Sequence, residues 1–137
     1  MILIDTLYGR YSKSGDLELQ GSPDSIIQLA DLLVSEHQEI DLSTPNAIQS
    51  APYDAFITAI HLKRQEGHVV IQRTDTVLTI CGSLENLALL ADNLKWLANQ
   101  VTVTGCDNHL HIEYYPDHFY LNASSVPLVV SVETNLK

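Results

Sequence analysis

The sequence predicts an α+β fold: an antiparallel sheet of about six to eight strands with two helices packed on one face, built from a duplicated βαββ unit. Three observations predict it. Short runs alternate apolar and polar residues, as half-buried strands do. Two longer runs repeat apolar residues at helical spacing. Both kinds of run recur in the same order at a constant offset of 61 residues. Over residues 17–33 and 78–94, Leu17, Gly21, Ser22, Leu29, Ala30, Asp31 and Leu33 meet Leu78, Gly82, Ser83, Leu90, Ala91, Asp92 and Leu94. These are seven identities in seventeen ungapped positions, and such self-similarity is the mark of an internal repeat. Its copies span residues 17–73 and 78–133 within a single domain, residues 1–137.

Each element has a local reason. Residues 2–11 add a strand expected to pair with residues 17–20 across the polar stretch 12–16. Residues 17–20 alternate Leu with polar residues and stop at Gly21, where the backbone can turn. Ser22 then offers an N-cap hydroxyl, Pro23 suits the first helical position and Asp24 faces the positive end of the helix dipole. Ile26, Leu29, Ala30 and Leu33 make the apolar stripe of the first helix. Pro45, Asn46 and Pro52 mark a loop between Asp41 and Asp54. Ile60 and Leu62 point inward from the next strand, with His61 and Lys63 outward, and residues 65–67 read as a tight hairpin before a strand at 68–73.

The second copy follows a turn at residues 73–76. Gly82, Ser83 and Glu85 repeat the turn, the cap and the dipole charge, and Leu87, Leu90, Ala91, Leu94, Leu97 and Ala98 repeat the stripe. Trp96 lies off that stripe; it is either a cover for the sheet edge or an exposed anchor, and the core position is preferred. The repeat pairs residues 60–63 with 110–113, and residues 68–73 with 127–132, as strands. Cys81 is expected in the core and Cys106 on the surface.

Composition excludes several functions. A hydrophobic fraction of 45% and a charged fraction of 18% suit a globular protein. Seven Lys and Arg face seventeen Asp and Glu, for a formal net charge of -10. Between Lys13 and Lys63 there is no base, but eight acids: Asp16, Glu18, Asp24, Asp31, Glu36, Glu39, Asp41 and Asp54. That disfavours nucleic acid, whose phosphates need basic clusters, and favours a basic protein partner. No apolar run approaches a membrane span, and Met-Ile-Leu-Ile-Asp does not read as a signal peptide. Two cysteines fit a reduced, cytoplasmic setting. No nucleophile elbow, Walker lysine or dinucleotide turn is present, so no enzyme and no cofactor is expected.

The candidate site is His109-Leu-His-Ile-Glu-Tyr-Tyr115. Alternation on a strand puts Leu110, Ile112 and Tyr114 under the helices and His109, His111, Glu113 and Tyr115 on the opposite face, roughly 6.5–7 Å apart. Such a row can serve as a polar recognition face, as the contact of a homodimer or, through His109, His111 and Glu113, as a metal site with His118 close by. Recognition is preferred. Residues 114–120 are the densest aromatic stretch of the chain.

Residues 109–130, His-Leu-His-Ile-Glu-Tyr-Tyr-Pro-Asp-His-Phe-Tyr-Leu-Asn-Ala-Ser-Ser-Val-Pro-Leu-Val-Val, resemble the C-terminal portion of immunity protein family 32 of bacterial polymorphic toxin systems. Residues 78–98 are similar to that family as well. The resemblance implies a small cytosolic antidote that binds and neutralises a cognate toxin domain. It makes His109, His111, Glu113, Tyr115 and His118 family-typical positions. An acid-rich surface including Glu36, Glu39 and Asp41 suits the basic groove of such a toxin.

Overall fold

The computed structural model describes residues 2–35, 38–42 and 53–134. The described residues form ten strands and two helices. They are β1 (Ile2–Ile4), β2 (Leu7–Tyr11), β3 (Leu17–Gly21), α1 (Pro23–Leu33), β4 (Gln38–Leu42), β5 (Ala55–Ile57) and β6 (Ala59–Arg64). Then come β7 (Val70–Thr74), β8 (Val77–Gly82), α2 (Leu84–Thr104), β9 (Asn108–Ile112) and β10 (Leu128–Val132).

Alternation sets the strands. In β3 the side chains of Leu17 and Leu19 are buried while Glu18 and Gln20 are half-buried, and in β8 Leu78 and Ile80 are buried while Val77, Thr79 and Cys81 are not. Cys81 thus sits half-buried on the outer face rather than in the core. Both helices begin as the sequence requires. The Ser22 hydroxyl accepts from the Ser25 amide and the Ser83 hydroxyl from the Asn86 amide, each at 3.2 Å. α2 ends at Gly105, whose left-handed φ of 70° lets its N–H reach the Val101 carbonyl at 2.9 Å. Its buried stripe gains Val101 beyond the expected residues. Burying each such Leu or Val contributes about 1.5–3 kcal/mol.

The strands make two mixed sheets of five, not one antiparallel sheet. The first runs β1-β4-β6-β8-β7 and the second β5-β2-β3-β10-β9. The expected pairing of β2 with β3 is present, antiparallel, as is the β7–β8 hairpin. The expected hairpin at residues 65–67 is not: β6 and β7 lie on opposite sides of β8. β6 runs parallel to β8, Ile60 beside Leu78, and β10 runs parallel to β3, Leu128 beside Leu17. Apolar alternation fixes which face is buried but not the direction of a neighbour, so the parallel seams leave no trace in it. Each helix carries the chain from one sheet to the other: α1 from β3 to β4, α2 from β8 to β9.

The sheets are also joined by chain that changes sheet. At Thr58 the chain leaves β5 in the second sheet and enters β6 in the first. Thr58 is gripped there, its N–H bonded to the Thr76 carbonyl at 2.8 Å and its carbonyl accepting from the Leu42 N–H at 2.9 Å. Residues 120–126 lie along β7, with Val69 N–H to Tyr120 carbonyl at 2.7 Å and Val126 N–H to Ile71 carbonyl at 2.8 Å, before continuing into β10. Gly9 is required where β2 meets β5, since a Cβ there would stand 2.7 Å from the Ile57 Cβ. Both sheets and both helices contribute to one hydrophobic core, with α1 packed on α2.

Candidate functional site

β9 is an outer strand of the second sheet, paired on one side with β10. Of the inward set, Ile112 is buried and Leu110 partly so. His109 and His111 stand exposed on the other face, their rings edge to face with centroids 5.1 Å apart. Glu113 continues the row, its Oε1 3.6 Å from His111 Nδ1. The structure therefore brings His109, His111 and Glu113 together as expected. It does not make them a metal site: among the described residues no group of three or more His, Cys, Asp or Glu side chains is placed to hold a metal ion.

A network leads away from this row. Ser131 lies opposite His109 and Val129 opposite His111, and β3 follows with Glu18 and Gln20. The Ser131 hydroxyl approaches Glu18 Oε2 at 3.4 Å, and Glu18 forms an ion pair with Arg10 on β2. Gln20 Nε2 donates to Glu133 Oε1 at 2.6 Å. At the end of the β9–β10 pair, Asp107, Asn108, His109, Ser131, Val132 and Glu133 line an open cleft of about 180 Å³. Its carboxylates are partly engaged, since Asp107 accepts from the Thr134 N–H at 2.9 Å.

Beyond Ile112 the strand ends, and the expected alternation ends with it. Tyr114, expected under the helices, is 41% exposed, and Tyr115 is 54% exposed. His118, expected beside the histidine row, is instead buried at 8% exposure. Its Nδ1 accepts from the Tyr120 and Leu121 backbone N–H groups at 3.3 and 3.0 Å. Those bonds need an unprotonated Nδ1, and burial, with His68 nearby, pushes the His118 pKa down. Tyr115, Phe119 and Tyr120 surround the imidazole, with ring centroids 4.6, 5.6 and 4.6 Å away. Tyr120 is buried, and its hydroxyl accepts from Asn93 Nδ2 of α2 at 2.6 Å.

The acids are dispersed. Glu39 and Asp41 share the outer face of β4, Glu39 with its Oε1 4.0 Å from His61 Nε2. Asp31 is on α1 and paired with Lys95 of α2 at 2.9 Å, while Glu18 belongs to the other sheet. Glu36 lies outside the described residues. Trp96, preferred as core, is 55% exposed, because the inward face of α2 is filled by Leu94, Leu97 and Ala98 around it. Phe119, which has no placement of its own in the sequence pattern, is 59% exposed. The aromatic density of residues 114–120 was the signal available for Phe119.

Comparison with known families settles the likeness. Residues 77–132 match the family model of Immunity protein 32. The match begins with β8 and ends with β10, so it contains α2, the histidine row and the aromatic loop. It bears out the resemblance carried by residues 78–98 and 109–130. Neither a curated protein nor a solved structure matches the chain. None of the described helices is long and apolar enough to cross a membrane.

Proposed function

We propose that the protein is an immunity protein that neutralises a cognate bacterial toxin by binding it directly, in the cytoplasm and without chemistry of its own. The match of residues 77–132 to Immunity protein 32 carries this reading. The exposed row of His109, His111 and Glu113 supports it as a recognition face, with Tyr115 beside it and His118 holding the loop. Glu39 and Asp41 supply a second, acidic face suited to a basic toxin domain; Glu36, expected to join them, lies outside the described residues. A net charge of -10 would steer such a partner inward.

The chain's internal likeness fits the same reading. Apart from β5, which is inserted between β4 and β6, the series β2-β3-α1-β4-β6 and β7-β8-α2-β9-β10 each give one strand pair to each sheet. This arrangement accompanies the proposed duplication of residues 17–73 as 78–133, of which the second copy carries the family match.

The test is co-expression with the product of the neighbouring reading frame. That product should arrest growth alone, be harmless beside this protein and co-elute with it. Growth arrest that persists, or separate elution, would sink the reading. Raising salt from 50 to 200 mM and the pair Glu39→Lys with Asp41→Lys should each weaken the complex by about tenfold, or 1.4 kcal/mol, if the acidic face contributes.

A further inference from the structure

The loop of residues 113–120 holds three large aromatics out of the core in a fixed arrangement. Tyr114, Tyr115 and Phe119 are 41, 54 and 59% exposed. The loop is pinned from within by His118 Nδ1, by the His118 N–H to Tyr115 carbonyl bond at 3.0 Å and by the Tyr120–Asn93 bond. Asp117 takes a left-handed φ of 68° at its turn. Asn93 anchors the loop to one flank of α2, and Trp96, three residues on, lies on that same flank. Aromatics held rigidly at a surface lose little freedom on binding, which is why they dominate interface energies.

The surroundings say what they fit. From residue 96 to residue 134 there is no Lys or Arg, while Asp107, Glu113, Asp117 and Glu133 are acids. Lys95, next to Trp96, is paired with Asp31, and Glu113 faces His111 at 3.6 Å. Exposed rings with carboxylates near them in the loop suit a guanidinium or ammonium that stacks on the rings and pairs with the acids. A second copy of this chain is a poor source. Four of its seven bases are engaged: Arg10 with Glu18, Arg64 with the Ser35 carbonyl, Arg73 with the Asp75 carbonyl and Lys95 with Asp31. Two chains of net charge -10 also repel.

We infer that Trp96, Tyr114, Tyr115 and Phe119 are the anchor that captures an Arg-bearing segment of the toxin, with Glu113 and Asp117 pairing its charge. This rests on the immunity reading and names where its binding energy is concentrated. Trp96→Ala leaves the core intact and should melt as the unaltered chain does, whereas Phe119→Ala also removes ring contacts with His118 and Tyr120, so its native circular dichroism is checked before titration. The neighbouring reading-frame product, inactivated, is titrated into each by calorimetry. Each substitution should weaken binding at least tenfold, and Trp96 emission should shift to the blue in the unaltered complex. Binding unchanged in both variants, with loss confined to the Glu39→Lys and Asp41→Lys pair, overturns the inference and leaves the immunity reading standing. No binding by the unaltered chain overturns both. A dimer of the unaltered chain in light scattering, made monomeric by Phe119→Ala, makes a second copy the occupant and also overturns it.

Discussion

His118 shows how much one side chain decides. As a neutral acceptor it ties the backbone of Tyr120 and Leu121, and Tyr115 and Phe119 lie against its ring. Its pKa is lowered in the folded protein, first by burial and then by His68. On acidification the unfolded chain takes up this proton before the folded one does. Its contribution to stability is therefore complete above the ordinary histidine value of about 6.5 and is lost progressively as pH falls below that toward the lowered folded value. Urea unfolding should show lower stability at pH 5.5 than at pH 7.5, and His118→Asn, whose side-chain oxygen can still accept, should shrink that difference. A pH dependence unaltered by the substitution would assign the effect to other histidines. None of this was legible in the sequence, where His118 looked like a neighbour of His109 and His111. The histidine row itself was legible, since alternation from Ile112 back to His109 holds in the strand. Tyr114 was misplaced because β9 stops at Ile112, and only Pro116 hints at a stop.

At the level of elements, the helices are where local chemistry speaks most plainly. Gly-Ser followed by an acid two residues on gave both starts, and the hydroxyls of Ser22 and Ser83 do cap them. Ser22 also meets the Thr6 hydroxyl at 2.9 Å, and Ser83 accepts from Asn86 Nδ2 at the same distance. Ser22→Ala and Ser83→Ala should each lower stability by about 1 kcal/mol in urea titrations. A loss below a few tenths would mean that the caps are replaced by water. Strands were found less completely than helices. β1 and β5 are three residues each, too short for alternation to register. Cys81 was misplaced for a related reason: it follows Ile80 in an apolar run, yet β8 turns it outward beside Lys63 of β6.

Across the whole molecule, the order of strands was hidden because it depends on residues far apart in sequence. Nothing local distinguishes β3 beside β10 from β3 beside β8, and the similar patterns of residues 17–33 and 78–94 suit either. The observed choice interlocks the chain, since each sheet takes strands from both sides of residue 66. Unfolding followed by Trp96 fluorescence and by far-UV circular dichroism should therefore give coincident single transitions. Two separated transitions would mean that the sheets come apart independently.

The parallel seam of β3 with β10 joins residues as distant as Gln20 and Glu133, which are 113 positions apart. During synthesis β3 leaves the ribosome with only β2 to pair with, and its other edge stays open until β10 follows. Long-range pairing of this kind is slow to form. A half-made chain therefore has β2, β3 and β5 of the second sheet but not β10, nor β9, the strand that presents the histidine row. The exposed face on which the proposed recognition depends is thus complete only in a finished chain.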